Sequence, residues 1–248
     1  MATARGGYFV DGIKVPSVTQ VIGQLDKPAL IPWAAKLNRE LLVEPLRKAQ
    51  EGDIADLVSY HAFLDKTLSE APTFRTKTAS AADAGTLVHD MIEAWLGGSP
   101  HTKPLEKVKD EDVRQKALTG FESFLAWTEG YKYEHWHGEI HLVHPEMMFG
   151  GTPDSWGIFS GENLGVADWK TGSGIYTEAY LQVAAYAKLV EQKEEREVRE
   201  AHIVRFSRHS ASFVHQKLSY EQIQLAWGVF TLLLDLKENM NLLKEKMK

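Results

Sequence analysis

Gly151-Thr-Pro-Asp154, followed thirteen residues later by Asp168-Trp-Lys170-Thr-Gly172, carries most of what this chain says about its architecture. The segment Gly165-Val-Ala-Asp-Trp-Lys170 alternates as a strand does. Asp168, Lys170 and Val166 therefore share one face, and Ala167 and Trp169 the other. Pro153-Asp-Ser-Trp-Gly-Ile-Phe159 also reads as a strand, and Ser160-Gly-Glu-Asn-Leu-Gly165 between the two is turn chemistry. Closing a hairpin about that turn brings Asp154 opposite Asp168, or one pair away. Either motif alone is an ordinary surface strand or turn; their pairing points to chemistry. Two carboxylates so placed repel, and in a partly dry cleft they are costly without a cation between them. Oxygen donors select a hard divalent ion, so Mg2+ or Mn2+ is expected. Lys170 adds an ammonium that can stabilise charge on a phosphodiester.

Beyond Lys170 the chain breaks at Thr171-Gly-Ser-Gly174 and resumes as Tyr176-Thr-Glu-Ala-Tyr-Leu-Gln-Val-Ala-Ala-Tyr-Ala-Lys-Leu-Val190. Leu181, Ala184, Ala185 and Leu189 form a helical stripe, and Gln182 and Tyr186 lie four apart on one face. Upstream stand Gly85-Thr-Leu-Val-His89-Asp-Met-Ile-Glu93, Val15-Pro-Ser-Val-Thr-Gln-Val-Ile22 and Pro32-Trp33.

This order of Gly-x-x-x-His, Gly-x-x-Asp, Asp-x-Lys and Gln-x-x-x-Tyr resembles the PD-(D/E)XK nuclease superfamily. Within it, the chain is similar to the RecB-like exonuclease branch of the phage and mitochondrial-genome-maintenance type. No single motif is specific; their order and spacing are. The resemblance implies an α/β (α+β) fold, with a mixed central β-sheet flanked by helices. It would form a restriction-endonuclease-like core with an N-terminal helical region. It also implies a metal-dependent DNA exonuclease acting in phage replication, recombination or repair. His89, Asp154 and Asp168 would ligate the ion, together with the backbone carbonyl of Trp169. Lys170 would position the attacking water and stabilise the developing charge. Gln182 and Tyr186 would orient Lys170 or contact the DNA backbone. An acidic residue at the place of Glu139 sometimes completes such a site. The second acidic position is Asp168 where glutamate is commoner, which would shift the metal by about one bond length.

His89 also has a reading of its own. Leu87, Val88, Ile92, Trp95 and Leu96 make its helix largely apolar, so the imidazole is drawn toward the interior. A buried imidazole needs partners for its nitrogens, and a metal and a nearby acid would supply them. A rival site must be weighed against it. His135-Trp-His137-Gly-Glu139-Ile-His141 places His135, His137, Glu139 and His141 on one face if the run is a single strand. That face could hold zinc or iron. A third reading is a catalytically silent member of the fold that only binds nucleic acid. It would call for a broken triad, and Asp154, Asp168 and Lys170 are all present.

With 248 residues, 44% of them hydrophobic and seven tryptophans, the chain can bury a sizeable core and is not disordered. It contains no cysteine. Disulfides, thiol catalysis and cysteine-held iron–sulfur clusters are excluded, which separates it from RecB-like relatives with a four-cysteine cluster. No apolar run reaches the ~20 residues that span a bilayer, and the first residues lack the apolar core of a secretory signal. A cytoplasmic protein of a bacterium or phage-infected cell is expected. The net charge of −6 averages over the whole surface, whereas phosphate binding needs only a local basic track. Arg75, Lys77, Arg205 and Arg208 are the candidates for it. DNA ends, single- or double-stranded, are the expected partner. A homo-oligomer or a recombination or replication protein would be a further one.

A single nuclease domain over 1–248 is expected. It comprises a hairpin and helical region (1–80), the core (81–218) and a C-terminal helix (219–248). Asp11-Gly12 predicts a type I′ turn inside Tyr8–Val15. Helices are predicted over Leu30–Arg47, near Ile54–Glu70, from a cap at Ser80 or Asp83 through His89, and over Glu111–Thr128. Ala201–Phe206 and Ala211–Leu218 read as strands. Ser219-Tyr-Glu-Gln222 has capping-box form and opens a helix rich enough in apolar residues for core or subunit contact.

Overall fold

The computed structural model describes residues 7–25, 35, 36, 43, 47, 59, 61–63, 65, 66, 74–131 and 134–247, the side chains of 74–82, 135, 136 and 160 excepted. The chain divides into two compact units, Met1–Leu25 with Ala84–Lys248, and Asp26–Asp83. In the second unit the described residues between 35 and 66 are helical. The predicted helices over Leu30–Arg47 and Ile54–Glu70 otherwise lie outside the described residues, as does Pro32-Trp33.

The larger unit is built on a five-stranded mixed sheet in the order β3-β6-β7-β8-β9. These strands are β3 (Glu134–His137), β6 (Ser155–Ser160), β7 (Asn163–Lys170), β8 (Val198–Phe206) and β9 (Phe213–Leu218). β6 and β7 form the antiparallel hairpin expected from the sequence, and β8 runs parallel to β7. Parallel neighbours need a crossover. Here it is helix α4 (Thr177–Glu194), which follows α1 (Val18–Ile22), α2 (Phe74–Leu96) and α3 (Glu111–Gly130) in chain order. The two-stranded pairs β1 (Tyr8–Val10) with β2 (Ile13–Val15), and β4 (Leu142–His144) with β5 (Phe149–Gly151), complete the β-structure. Asp11 and Gly12 both have positive φ, 48° and 80°, as a type I′ turn demands.

Strand alternation splits the interior into two layers. Val166 and Ile203 face α4, α1 and α5 (Tyr220–Lys246), packing with Ala184, Leu189, Ile223 and Phe230. Ala167, Trp169, Val204 and Phe206 face the other way, against Val88, Phe121, Phe124 and Trp127 of α2 and α3. Trp127 and Trp169 meet edge to face at 5.2 Å. Truncating such a fully buried ring costs about 3–5 kcal/mol. On this second face Trp127 Nε1 donates to His215 Nδ1 (3.3 Å), and His215 Nε2 lies 2.8 Å from His202 Nδ1. The indole can only donate, so His215 carries its proton on Nε2 and passes it as a donor to His202.

Two expectations are corrected. α2 is already helical from Phe74 on, so neither Ser80 nor Asp83 caps it. Ala79, Ala81, Ala82 and Ala84 are strong helix formers, and no proline or glycine interrupts them before Gly85. β3 ends at His137. The run His135–His141 is therefore not one strand face, because Gly138 gives little support to continued pairing. α5 does open on the predicted capping box between Ser219 and Gln222. Among the described residues no helix is long and apolar enough to cross a membrane.

Candidate metal centre and active site

Three backbone segments meet at the open end of the β6–β7 hairpin. Ser155 pairs with Ala167, so the next residue out, Asp154, comes level with Asp168. Its Oδ2 accepts the Trp169 amide at 2.7 Å, and its Oδ1 lies 3.3 Å from His89 Nδ1 on α2. Close packing brings α2 there. A Cβ on Gly85 would lie 2.6 Å from Thr171 Oγ1, just past Lys170. On the opposite side, a Cβ on Gly151 would lie 2.8 Å from the Tyr186 ring and 2.9 Å from Leu189. At both glycines of the sequence motifs a methyl group would force a neighbouring side chain to shift.

Lys170 Nζ lies 2.5 Å from Asp168 Oδ2 and donates to Gln182 Oε1 at 2.8 Å, while Gln182 Nε2 donates to Tyr186 OH at 2.9 Å. The two strand residues and the two helix residues thus form one chain of contacts. It forms because β7 and α4 present period-two and i, i+4 neighbours to each other.

The electrostatics follow from burial and charge. Asp168 is 1% exposed. Desolvation raises its pKa to about 6, with Asp154 adding to the rise and Lys170 opposing it. Burial would likewise raise Asp154, but His89, Lys170 and the Trp169 amide outweigh it and hold that carboxyl below its ordinary value. His89 would be lowered by burial, yet Asp154 carries it to about 9. Tyr186 is pushed well above its usual value by burial and then by Asp168 and Asp154, so it keeps its proton. Glu139 is solvent-accessible, but lost hydration and the charges of Asp154 and Glu93 raise it to about 7.

His89, Glu139 and Asp154 each offer a ligand atom within 4.8 Å of the others. One nitrogen and two carboxylates, with Glu139 crowded enough to hold a proton near neutrality, fit a hard divalent cation. Asp168 is not in that close group; it stands at the site beside the charge of Asp154, which raises its pKa, and in an ion pair with Lys170. The Trp169 side chain is buried on the opposite face of the sheet.

His137 stacks on Trp156 at 4.9 Å and His141 Nδ1 lies 2.6 Å from Thr152 Oγ1, so these two do not converge with Glu139 as a zinc or iron site. The His135 side chain lies outside those described. Arg205 is half-buried on β8, paired in register with Lys170. Arg208 is half-buried after that strand, and burial lowers its pKa. The side chains of Arg75 and Lys77 lie outside those described.

Glu93, whose charge acts on Glu139, and Tyr8, whose hydroxyl acts on Tyr186, join the site without having been singled out from the sequence. Glu93 is four residues after His89, a spacing that could have flagged it. Tyr8 OH lies 2.7 Å from Thr152 Oγ1 across 144 residues of chain, which no local pattern announces. Beside the site, Asp90, Glu93, Lys103 and Lys107 line an open groove of about 500 Å³.

No protein-family profile matches the chain, and no curated protein matches it. Among solved structures, a candidate exonuclease from Eubacterium rectale has 11% identity and a TM-score of 0.43, over 60% of this chain and 64% of that one. This chain thus covers less than two thirds of that protein. The alkaline exonuclease of Laribacter hongkongensis has 12% identity and a TM-score of 0.33, over 68% of this chain and 92% of that one. In its complex with dAMP the TM-score is 0.27, over 68% and 97% at 12% identity. These overlaps are partial, and the chemistry rests on the residues of the site.

Proposed function

We propose that this chain is a Mg2+- or Mn2+-dependent nuclease of the PD-(D/E)XK type, an exonuclease hydrolysing phosphodiester bonds at DNA ends. Replication, recombination or repair, as in a phage, is the setting such an activity suits. The observation that supports it best is the convergence of His89, Glu139 and Asp154 beside an Asp168–Lys170 pair braced by Gln182.

A bound divalent ion would lower the pKa of a coordinated water and neutralise charge on the phosphate. His89, Asp154 and Glu139 would hold it, with Asp168 and the Trp169 carbonyl as further ligands. Asp154 has one oxygen committed to the Trp169 amide, so Oδ1 is the oxygen it offers. Lys170 lies against the Asp168 carboxylate. It would act as a fixed positive charge beside the scissile phosphate and not as a base. Gln182 holds the ammonium in that place, and Tyr186 holds Gln182. Arg205, Arg75 and Lys77 are the candidates for DNA backbone contacts.

The test is digestion of end-labelled linear DNA, single- and double-stranded, with circular DNA and RNA alongside, in Mg2+, Mn2+ or EDTA. Wild type is compared with folded Lys170→Ala and Asp154→Ala. Metal-dependent loss of label from linear DNA, abolished in both variants, is the expected result. Cleavage of circular DNA would make the enzyme an endonuclease. No cleavage of any substrate would leave a nucleic-acid binder and reject the enzyme.

A further inference from the structure

Helix α5 buries Ile223, Ala226, Phe230 and Leu234 against the sheet layer and leaves a second apolar stripe in solvent. Leu225 is 73% exposed, Leu232 68%, Leu236 50% and Met247 79%. Val229, Met240 and Leu243 fill the positions between them and are also exposed. At 100° per residue all of these fall within an arc of roughly 80°. Residues 238–247 are exposed all round, so the last turns of the helix stand clear of the described body. Single exposed apolar residues are ordinary, but a continuous stripe of this length on a soluble helix marks a contact surface.

The occupant follows from the spacing. Successive stripe residues are separated by 4, 3, 4, 4, 3 and 4 positions, a series that reads the same in both directions about Leu236. We infer that a second copy of this chain covers the stripe, its α5 antiparallel to the first. A two-fold axis through Leu236 then sets Leu225 against Met247, Val229 against Leu243, Leu232 against Met240 and Leu236 against itself. In an isologous contact residue i meets j and j meets i, and a palindromic stripe satisfies this with an apolar side chain in every layer. An unrelated partner would not require the symmetry. Area agrees: at these exposures the stripe presents on the order of 700 Å² per copy, against about 800 Å² per partner in a standard interface. This surface stands apart from the metal centre, and the inference does not depend on the nuclease reading.

The chain has no cysteine, which makes single-cysteine cross-linking clean. In light scattering at tens of micromolar, wild type is expected at twice the 27.9 kDa chain mass. Leu236→Glu, an exposed position whose circular dichroism should not change, is expected at the single mass. Under mild oxidation Leu236→Cys should link to itself. Leu225→Cys and Met247→Cys should each stay unlinked alone and link when mixed. A monomeric wild type would overturn the inference, whether residues 26–83 or another protein cover the stripe. So would a dimer untouched by Leu236→Glu. Self-linking at 225 and 247 would show a parallel pair and overturn the antiparallel assignment.

Discussion

Lys170 Nζ lies 2.5 Å from Asp168 Oδ2, and the two residues come from alternate positions of one strand whose intervening tryptophan is buried on the other face. The ammonium is thus held by the same backbone that fixes the acid. Lys170→Met removes the charge and keeps most of the stem. Loss of one preorganised transition-state donor costs about 10²–10³-fold in kcat. Metal binding, followed by calorimetry, should persist, because Lys170 is not a ligand. A variant that cleaves DNA at the wild-type rate would remove Lys170 from the mechanism.

The outer end of the same chain should matter less. Tyr186→Phe deletes one hydrogen bond to Gln182, worth about 1 kcal/mol or roughly fivefold. If the pair only positions Lys170, kcat should fall while KM for DNA holds, and Gln182→Leu should fall further. A rise in KM with kcat intact would instead place Tyr186 on the substrate.

Metal affinity should depend on pH. His89 titrates at about 9 in the metal-free protein because Asp154 holds its proton, and Asp168 titrates at about 6. A cation that takes a nitrogen of His89 must displace that proton. Affinity for Mn2+ should therefore rise between about pH 6 and 9, by up to tenfold per unit above about pH 7 and more steeply below it, where Glu139 also holds a proton, and level off above about 9. Calorimetry in buffers of different ionisation enthalpy should show more than one proton released per ion near neutrality, one from His89 and a fraction from Glu139, and about one near pH 8. No release would exclude His89 as a ligand.

Gly85 sets two effects of opposite sign against each other. Alanine inside a helix is favoured over glycine by about 1 kcal/mol, but its Cβ would lie 2.6 Å from Thr171 Oγ1. Overpacking of this kind costs about 1–3 kcal/mol, so Gly85→Ala alone should lower stability or leave it unchanged. With Thr171→Ala present the obstruction is gone, and the same substitution should then stabilise. Urea melts of the four proteins give the sign directly.

His202 and His215 should make the fold acid-sensitive. Burial, the opposite imidazole and Lys217 lower His202 to about 3, and burial and Lys217 lower His215 to about 4. Unfolded, both bind protons near 6.5, so the unfolded state takes up more protons below that pH. Stability should fall as pH drops from about 6.5 toward 4, by up to about 1.4 kcal/mol per unit for the buried His202. His215, which is more open, adds less. His202→Phe should flatten the dependence, measured as the urea midpoint at two pH values.

Much of this molecule is legible in its sequence where the pattern is local. Val166 to Lys170 alternate, Leu181 to Leu189 repeat at helical spacing, and the hairpin turn and the capping box at Ser219 follow from short-range chemistry. The start of α2 is not legible, because a plausible cap at Ser80 competes with an alanine-rich run that simply continues. Nor is the fate of His135–His141, where Gly138 sits inside an otherwise strand-like alternation. Glu139 comes within reach of His89 and Asp154 because the strand ends before it, the reverse of what a uniform strand predicts. The contact of Tyr8 with Thr152 is set by tertiary packing alone.

The amide of Trp169, held by Asp154 Oδ2, ties selection for activity to selection for folding. Strand side chains alternate faces, so a slip of one residue between β6 and β7 would break that bond and carry Asp168 and Lys170 away from α4. A chain misregistered here would turn Val166 toward α2 and α3, where the smaller Ala167 belongs, and would take the Asp168–Lys170 pair away from Gln182. Mutations that loosen the hairpin should therefore be lost first through activity, before any change in abundance reveals them.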